Sequence, residues 1–207
     1  MTASAAGAPR RVLNVGGGSK AIPIPPHYAA WEHVLLDIDP AGGPDIVCDA
    51  RRLDTLPAQQ FDAVYCSHNL EHYYRHDTRS VLCGFLHVLK FDGFAEIRVP
   101  DLRSVMQKFV RGDMDINDVL YQSAAGPISV QDVIYGLGRE IEQSGNDFYA
   151  HKTGYTPQSL GQTLENAGFG AIFMFAAAEA FETRALAFKS FPTPAYQKLL
   201  HLPVPAR

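Results

Sequence analysis

At 207 residues the chain has room for one domain with a full core and an inserted subdomain. A formal charge of −4, with lysines and arginines scattered along the chain, argues against a polyanionic partner, so no nucleic-acid partner is expected. Cys48, Cys66 and Cys83 are too few and too widely spaced for a zinc site or a disulfide framework, and no apolar run is long enough to span a membrane. The expectation is a soluble, cytoplasmic protein without a metal site.

Residues 1–10, MTASAAGAPR, read as a disordered leader. RVLNVGGGSK follows: Val12, Leu13 and Val15 predict a strand buried on both faces, ended by Gly16, Gly17 and Gly18 in a turn that residues without a Cβ make easily. Backbone N–H groups freed by such a turn face the carboxyl end of the strand, where open α/β sheets bind nucleotide-like ligands. Pro23, Pro25 and Pro26 exclude a long helix from the first crossover, leaving at most a helical turn near Tyr28 to Trp31. HVLLDIDP predicts a second strand ending in Asp37 and Asp39, about 20 residues past the first glycine, a spacing that suits a carboxylate gripping ribose hydroxyls.

PDIVCD predicts a third strand ending in Asp49, followed by a short helix or turn. A fourth strand over Ala63 to Cys66 places Ser67 and His68 at its tip, with Glu71 and His72 in the turn beyond. Asp77 is expected to cap a helix running through Lys90 and stopped by Asp92-Gly93, and FAEIRVP predicts a fifth strand ending in Asp101. Asp37, Asp49, Ser67, His68 and Asp101 would then share one sheet edge. Between Leu102 and Lys152 the pattern predicts short helices without a strand: LRSVMQKFV, INDVLYQS, and one helix with Ser129 and Asp132 as a capping pair and Gly145 as its stop. Gly136 and Gly138 weaken the middle of that helix by about 1 kcal/mol each. A helix from Pro157 to Ala167, the strand pair GAIFMFA and RALAFKS, and a proline-spaced tail from Pro192 with a docked turn near Tyr196 to Leu202 complete the chain.

VLNVGGGSK, LLDIDP, VCDARRLDTLP, FDAVYCSHNLEHY and HVLKFDGFAEIRVPDL, in this order and at sheet-compatible spacing, resemble the motifs of the class I S-adenosylmethionine-dependent methyltransferases, and within them the small-molecule branch related to ubiquinone biosynthesis. TPQSLGQTLENAGF and the two following strands are similar to that family's last helix and final hairpin. The resemblance implies an α/β fold, a doubly wound, seven-stranded, mostly parallel sheet over 11–190; the helical insertion at about 103–152, lying beside the strand edge, is placed to act as a lid or else is a satellite layer that only packs. It implies S-adenosyl-L-methionine as cofactor and S-adenosyl-L-homocysteine as product.

Residue by residue, the resemblance assigns Gly16, Gly17 and Gly18 to the methionine end and Asp37 with Ile38 to the ribose. Asp49 and Ala50 would take the adenine, and Ser67 would lie beside the sulfonium. Asn14 stands where the family has an acid, and Lys20 where it has a third glycine. The predicted reaction is methyl transfer to a small molecule, oxygen favoured over nitrogen. His68 and His72 are candidate bases, with His68 reading also as a cofactor or substrate neighbour and His72 as a helix cap or packing residue; Tyr121, Tyr135, Tyr149 and His151 are polar-tipped groups on the insertion that either pack or face the substrate. Two other readings stay open. Gly16, Gly18 and Ala21 also satisfy a dinucleotide fingerprint, as in an NAD(P)-dependent reductase, and Asn14 with the short crossover fits a cofactor-binding module without turnover.

Overall fold

The computed structural model of the chain describes residues 8–123, 126–177 and 180–203. Most of the expected leader, the middle of the loop before the last strand and the end of the tail lie outside the described residues. The glycine turn follows β1 (Arg11–Val15), whose Val12 and Leu13 are fully buried as the two-sided apolar pattern requires. A single 3₁₀ turn, Pro26–Tyr28, interrupts the proline-rich crossover before β2 (Glu32–Asp37). β3 (Ile46–Val47) is only a fragment of PDIVCD, and a 3₁₀ segment, Ala50–Thr55, leads to β4 (Phe61–Ser67) and the short turn Leu70–His72.

The helix α1 (Arg75–Val88) differs from expectation at both ends. Tyr74 occupies the cap position without a side-chain bond, while Asp77 sits in the first turn, where its charge suits the exposed N–H groups. Asp92-Gly93 does not stop the helix. The chain turns from Val88 straight into β5 (Leu89–Pro100), and these two residues lie in a bulge between the Phe61–Leu89 and Ala63–Phe94 pairs. A Cβ on Gly93 would come within 3.0 Å of the Asp62 carbonyl, so the bulge needs glycine for close approach and not for a helix end.

The segment after α2 (Leu102–Arg111) contains a hairpin that the sequence pattern did not predict. β6 (Val119–Ser123), which includes most of the expected helix INDVLYQS, pairs antiparallel with β7 (Gly126–Ser129), which includes the expected break Gly126-Pro127. Ile116 and Leu120 suit a helical face, but pairing with a second strand decides the outcome. The single helix expected from Ser129 to Gly145 is two, α3 (Val130–Tyr135) and α4 (Gly138–Ser144), separated at Gly136 with φ +94°. Its predicted Ser129–Asp132 capping box and Gly145 stop are both present. The last elements are α5 (Pro157–Ala167), β8 (Ala171–Ala177), β9 (Glu182–Phe188) and α6 (Pro194–Leu199).

Among the described residues seven strands form one sheet in the order β3-β2-β1-β4-β5-β9-β8, with β1 to β5 parallel and β9 antiparallel to both neighbours. Val81, Leu82 and Phe85 of α1 and Leu160 and Leu164 of α5 cover one face. The opposite face is covered by Tyr28 and Trp31 of the crossover and Tyr196 and Leu200 around α6, packed on Phe94 and Phe188. Under this aromatic layer Glu96, buried on β5, accepts hydrogen bonds from Tyr28, Arg98 and Arg184 and faces His27 at 2.9 Å. Val105, Leu120, Ile128, Val130 and Val133 form a separate small core within 102–152. No helix among the described residues is long and apolar enough to cross a membrane.

Candidate active site

Parallel pairing of β2, β1 and β4 brings the glycine turn, Asp37 and His68 to one edge. The turn is stitched to β2 by the Gly16 N–H, which donates to the Leu36 carbonyl at 2.8 Å. Gly16 (φ +70°) and Gly18 (φ +66°) adopt the left-handed backbone that favours glycine. The Gly18 N–H donates to Asp37 Oδ2 at 2.9 Å and the Asp39 N–H to Oδ1 at 3.0 Å. Each Asp37 oxygen keeps a further lone pair for a ligand.

Two asparagine amides explain why the turn has no side chains. A Cβ on Gly16 would fall 2.0 Å from Asn69 Nδ2, and one on Gly17 would fall 2.2 Å from Asn14 Nδ2. Asn14 is buried, and its amide meets His33 Nε2 at 3.2 Å, so it braces the turn from below. Asp49 caps the turn after β3 by accepting from the Arg51 N–H at 2.9 Å, and the Arg51 guanidinium grips its Oδ2. Burial raises the Asp49 pKa, but the Arg51 side chain and N–H outweigh it and hold the carboxyl below its usual range.

These groups line a cavity of about 960 Å³. Gly16, Gly18, Asp37, Ile38 and Asp49 form one wall; Tyr121, Ile128, Leu137, Tyr149 and His151 of 102–152 form the other. Several expected residues fall elsewhere. Gly17 faces Asn14, Ala50 is buried in the core, and Ser67 is not part of the lining. Tyr135 is 60% exposed and also absent from the lining, because the chain bends away at Gly136. Asp101 is buried as the cap of α2, accepting from the Arg103 N–H and the Ser104 hydroxyl.

The histidines after β4 are both engaged. His68 lies between Glu182 Oε2, 3.1 Å from its Nε2, and Glu71 Oε1, 3.6 Å from its Nδ1. Burial disfavours the charged ring, yet the two carboxylates prevail and push its pKa up to about 10. A ring that carries its proton at neutral pH has no lone pair with which to act as a base, so His68 does not fit the expected base role. His72 sets Nδ1 3.1 Å from the Ala150 carbonyl and Nε2 3.2 Å from the His68 carbonyl. His151 places Nδ1 2.9 Å from the Val133 carbonyl, and burial lowers its pKa.

Nothing in the sequence pointed to Asn69 or to the burial of Glu71. Glu71 is 1% exposed in the turn after β4, and its carbonyl accepts the N–H groups of Lys152 and Thr153 at 2.8 and 3.1 Å, docking the end of 102–152 beside it. Asp49 and Arg51, two positions apart, form an aspartate cap that is readable in the sequence.

Residues 13–97 match the family described as a methyltransferase domain. No curated protein matches the chain. Among solved structures, a SAM-dependent methyltransferase from Archaeoglobus fulgidus is similar with TM-score 0.52 at 17% identity, over 87% of this chain and 86% of that one. The CMeT domain of a citrinin polyketide synthase is similar with TM-score 0.56 at 12% identity, over 90% of this chain and 48% of that one. A possible histamine N-methyltransferase from Thermotoga maritima has TM-score 0.51 at 14% identity, over 87% of this chain and 82% of that one. These likenesses reach the fold of the class and not the ubiquinone-related branch. The reductase reading fails on the crossover, where only the 3₁₀ turn Pro26–Tyr28 stands in place of a helix whose N-terminus would hold a pyrophosphate. The domain match, the strand order and the glycine-and-acid edge agree: residues 13–97 match a methyltransferase domain, within a seven-stranded sheet of the Rossmann-like methyltransferase fold.

Proposed function

We propose that the enzyme methylates an oxygen of a small-molecule acceptor held between the strand edge and the segment 102–152, which acts as a lid. The observation that carries this reading is the continuity of the cavity from Gly16 and Asp37 to Tyr121, Tyr149 and His151. A space of about 960 Å³ suits a nucleoside cofactor together with a compact acceptor. Gly16, Gly18, Asp37, Ile38 and Asp49 hold the cofactor. The separate core of 102–152 and the left-handed Gly136 support movement of this segment as a unit.

The reaction is an in-line displacement. An oxygen lone pair of the acceptor forms the new O–C bond while the C–S bond breaks, its electron pair passing to sulfur to give the neutral thioether. The hydroxyl proton leaves to solvent or to a neighbouring imidazole. Positioning of the two reactants can supply about 7–11 kcal/mol. His151 supports oxygen as the acceptor atom: with its Nδ1–H donated to Val133, Nε2 presents a lone pair suited to a hydroxyl.

Calorimetry with S-adenosylmethionine, followed by mass spectrometry of phenols, alcohols and amines incubated with enzyme and cofactor, tests the reading. Methylated hydroxyl compounds are expected. Turnover of amines alone would reverse the choice of atom, and absence of cofactor binding would remove the whole proposal.

A further inference from the structure

Glu71 presents an unusual electrostatic situation. Its carboxylate is 1% exposed, and neither oxygen has a hydrogen-bond partner among the described residues. A buried carboxylate is strongly unfavourable unless donors or a cation compensate it. His68 Nδ1, at 3.6 Å, is beyond hydrogen-bond reach and its other nitrogen is drawn to Glu182 at 3.1 Å.

Two more imidazoles converge on the same carboxylate. His151 Nε2 lies 4.0 Å from Glu71 Oε1, and because its Nδ1–H is donated to the Val133 carbonyl, the free lone pair is on the nitrogen facing Glu71. His72 places both ring nitrogens beside carbonyl oxygens, yet a neutral ring can donate to only one; the remaining lone pair is matched by a cation and not by another oxygen. Donor atoms of Glu71, His72 and His151 all lie within 4.8 Å of one another.

We infer that Glu71, His72 and His151 form a binding site for a divalent first-row transition cation of the zinc or manganese type. Two imidazoles and one carboxylate suit such ions better than magnesium or calcium, which prefer an all-oxygen shell. Ligands at bond lengths near 2.1 Å stand about 3 to 4 Å apart, so donors now up to 4.8 Å apart need to draw in by about 1 Å. The carbonyls of Val133 and Ala150 orient the two rings, as outer hydrogen bonds do for metal-ligating histidines. Three protein ligands leave further positions open, and His72 and His151 both face the cavity. The site replaces the expectation of no metal. That expectation rested on cysteine spacing, whereas this donor set joins a turn after β4 to the far end of 102–152 through the backbone bonds on Glu71.

Binding of the cation is independent of the acceptor. Its use rests on the methyl-transfer reading above: with the cation bound, the His151 Nε2 lone pair is on the metal and no longer free for the hydroxyl, and the Lewis acid takes over that part by lowering the pKa of an acceptor hydroxyl, whose proton goes to solvent before the oxygen attacks the methyl group.

The test strips the full chain with a chelator and titrates it with Zn²⁺ and Mn²⁺ by calorimetry, with Co²⁺ absorption as a second readout of coordination. One equivalent per chain is expected, weakened at least about tenfold in both Glu71→Gln and His151→Gln. Affinity for S-adenosylmethionine should be unchanged, which also reports that the variants fold. Absence of stoichiometric binding overturns the site, as does binding that neither substitution weakens. An unbound parent whose Glu71→Gln variant melts lower would identify His68 as the counter-charge instead. Loss of cofactor binding in a parent that still takes up the cation would strike the methyl-transfer reading and leave the metal site standing.

Discussion

The Gly18 N–H donates to Asp37 Oδ2 at 2.9 Å, so the glycine turn and the acid at the end of β2 are one hydrogen-bonded unit although they lie 19 residues apart. Asp37 therefore shapes the glycine turn, and in the proposed function it also faces the cofactor. Asp37→Ala should weaken S-adenosylmethionine binding about ten- to a hundredfold, corresponding to one or two charge-assisted hydrogen bonds. Asp37→Asn, which keeps one acceptor oxygen, should fall between. Calorimetry measures both, and an unchanged dissociation constant in the alanine variant would remove Asp37 from the site.

Gly16→Ala should be damaging for two separable reasons. The added methyl meets the Asn69 amide, and φ of +70° is strained for any residue with a Cβ by about 1–2 kcal/mol. Adding Asn69→Ala should relieve the clash but leave the strain, so the double variant should recover part of the lost stability. Urea unfolding of the two variants and the parent decides this; identical stabilities for single and double variants would show that Asn69 is not what excludes a side chain there.

Stability should depend on acid through Glu96. Burial raises its pKa, but His27, Arg184 and Arg98 outweigh burial and bring it down to about 2, against 4.5 for an ordinary glutamate. A carboxyl whose folded pKa is depressed contributes its stability fully above the unfolded value and loses it as pH falls through the folded one. The loss should therefore span pH about 4.5 to about 2 and amount to on the order of 3 kcal/mol. Glu96→Gln should flatten this slope and at pH 7 cost about 3–5 kcal/mol, because Arg98 and Arg184 are left without their shared buried anion. Urea midpoints across this pH range supply the measurement, and a Gln variant with the parent's slope would contradict it.

Gly136→Ala probes the lid. A Cβ there would lie 2.2 Å from the Tyr149 carbonyl, breaking the isolated antiparallel bridge between Gly136 and Ala150, next to His151. Methyl transfer should drop about tenfold or more while cofactor affinity stays near that of the parent, because the glycine turn is on the opposite wall. Equal loss of both would show instead that 102–152 supports the fold as a whole.

The main sheet was legible because parallel strands buried on both faces write themselves as apolar runs, and because each run ended in a residue type with one local use. Gly16, Asp37 and Asp49 are of this kind, since a turn, a strand end and a cap are neighbours in sequence. Where two local patterns competed, sequence alone chose wrongly. INDVLYQS satisfies a helical face, yet it pairs with Gly126–Ser129; Asp92-Gly93 has the form of a helix stop, yet it bulges within β5. In both cases a partner strand outside the window supplied the hydrogen bonds that decided the outcome.

The amino-acid order thus determined the sheet, its glycine turn and the acids at its carboxyl edge, because those features follow from residue types a few positions apart. The tertiary structure alone decided what surrounds Glu71. His68 and His72 are its neighbours in the chain, but His151 reaches it only because the backbone of Lys152 and Thr153 bonds to the Glu71 carbonyl. Burial and long-range contact set the charge and the hydrogen-bond partners of an ionisable side chain, and neither is written in the residues beside it.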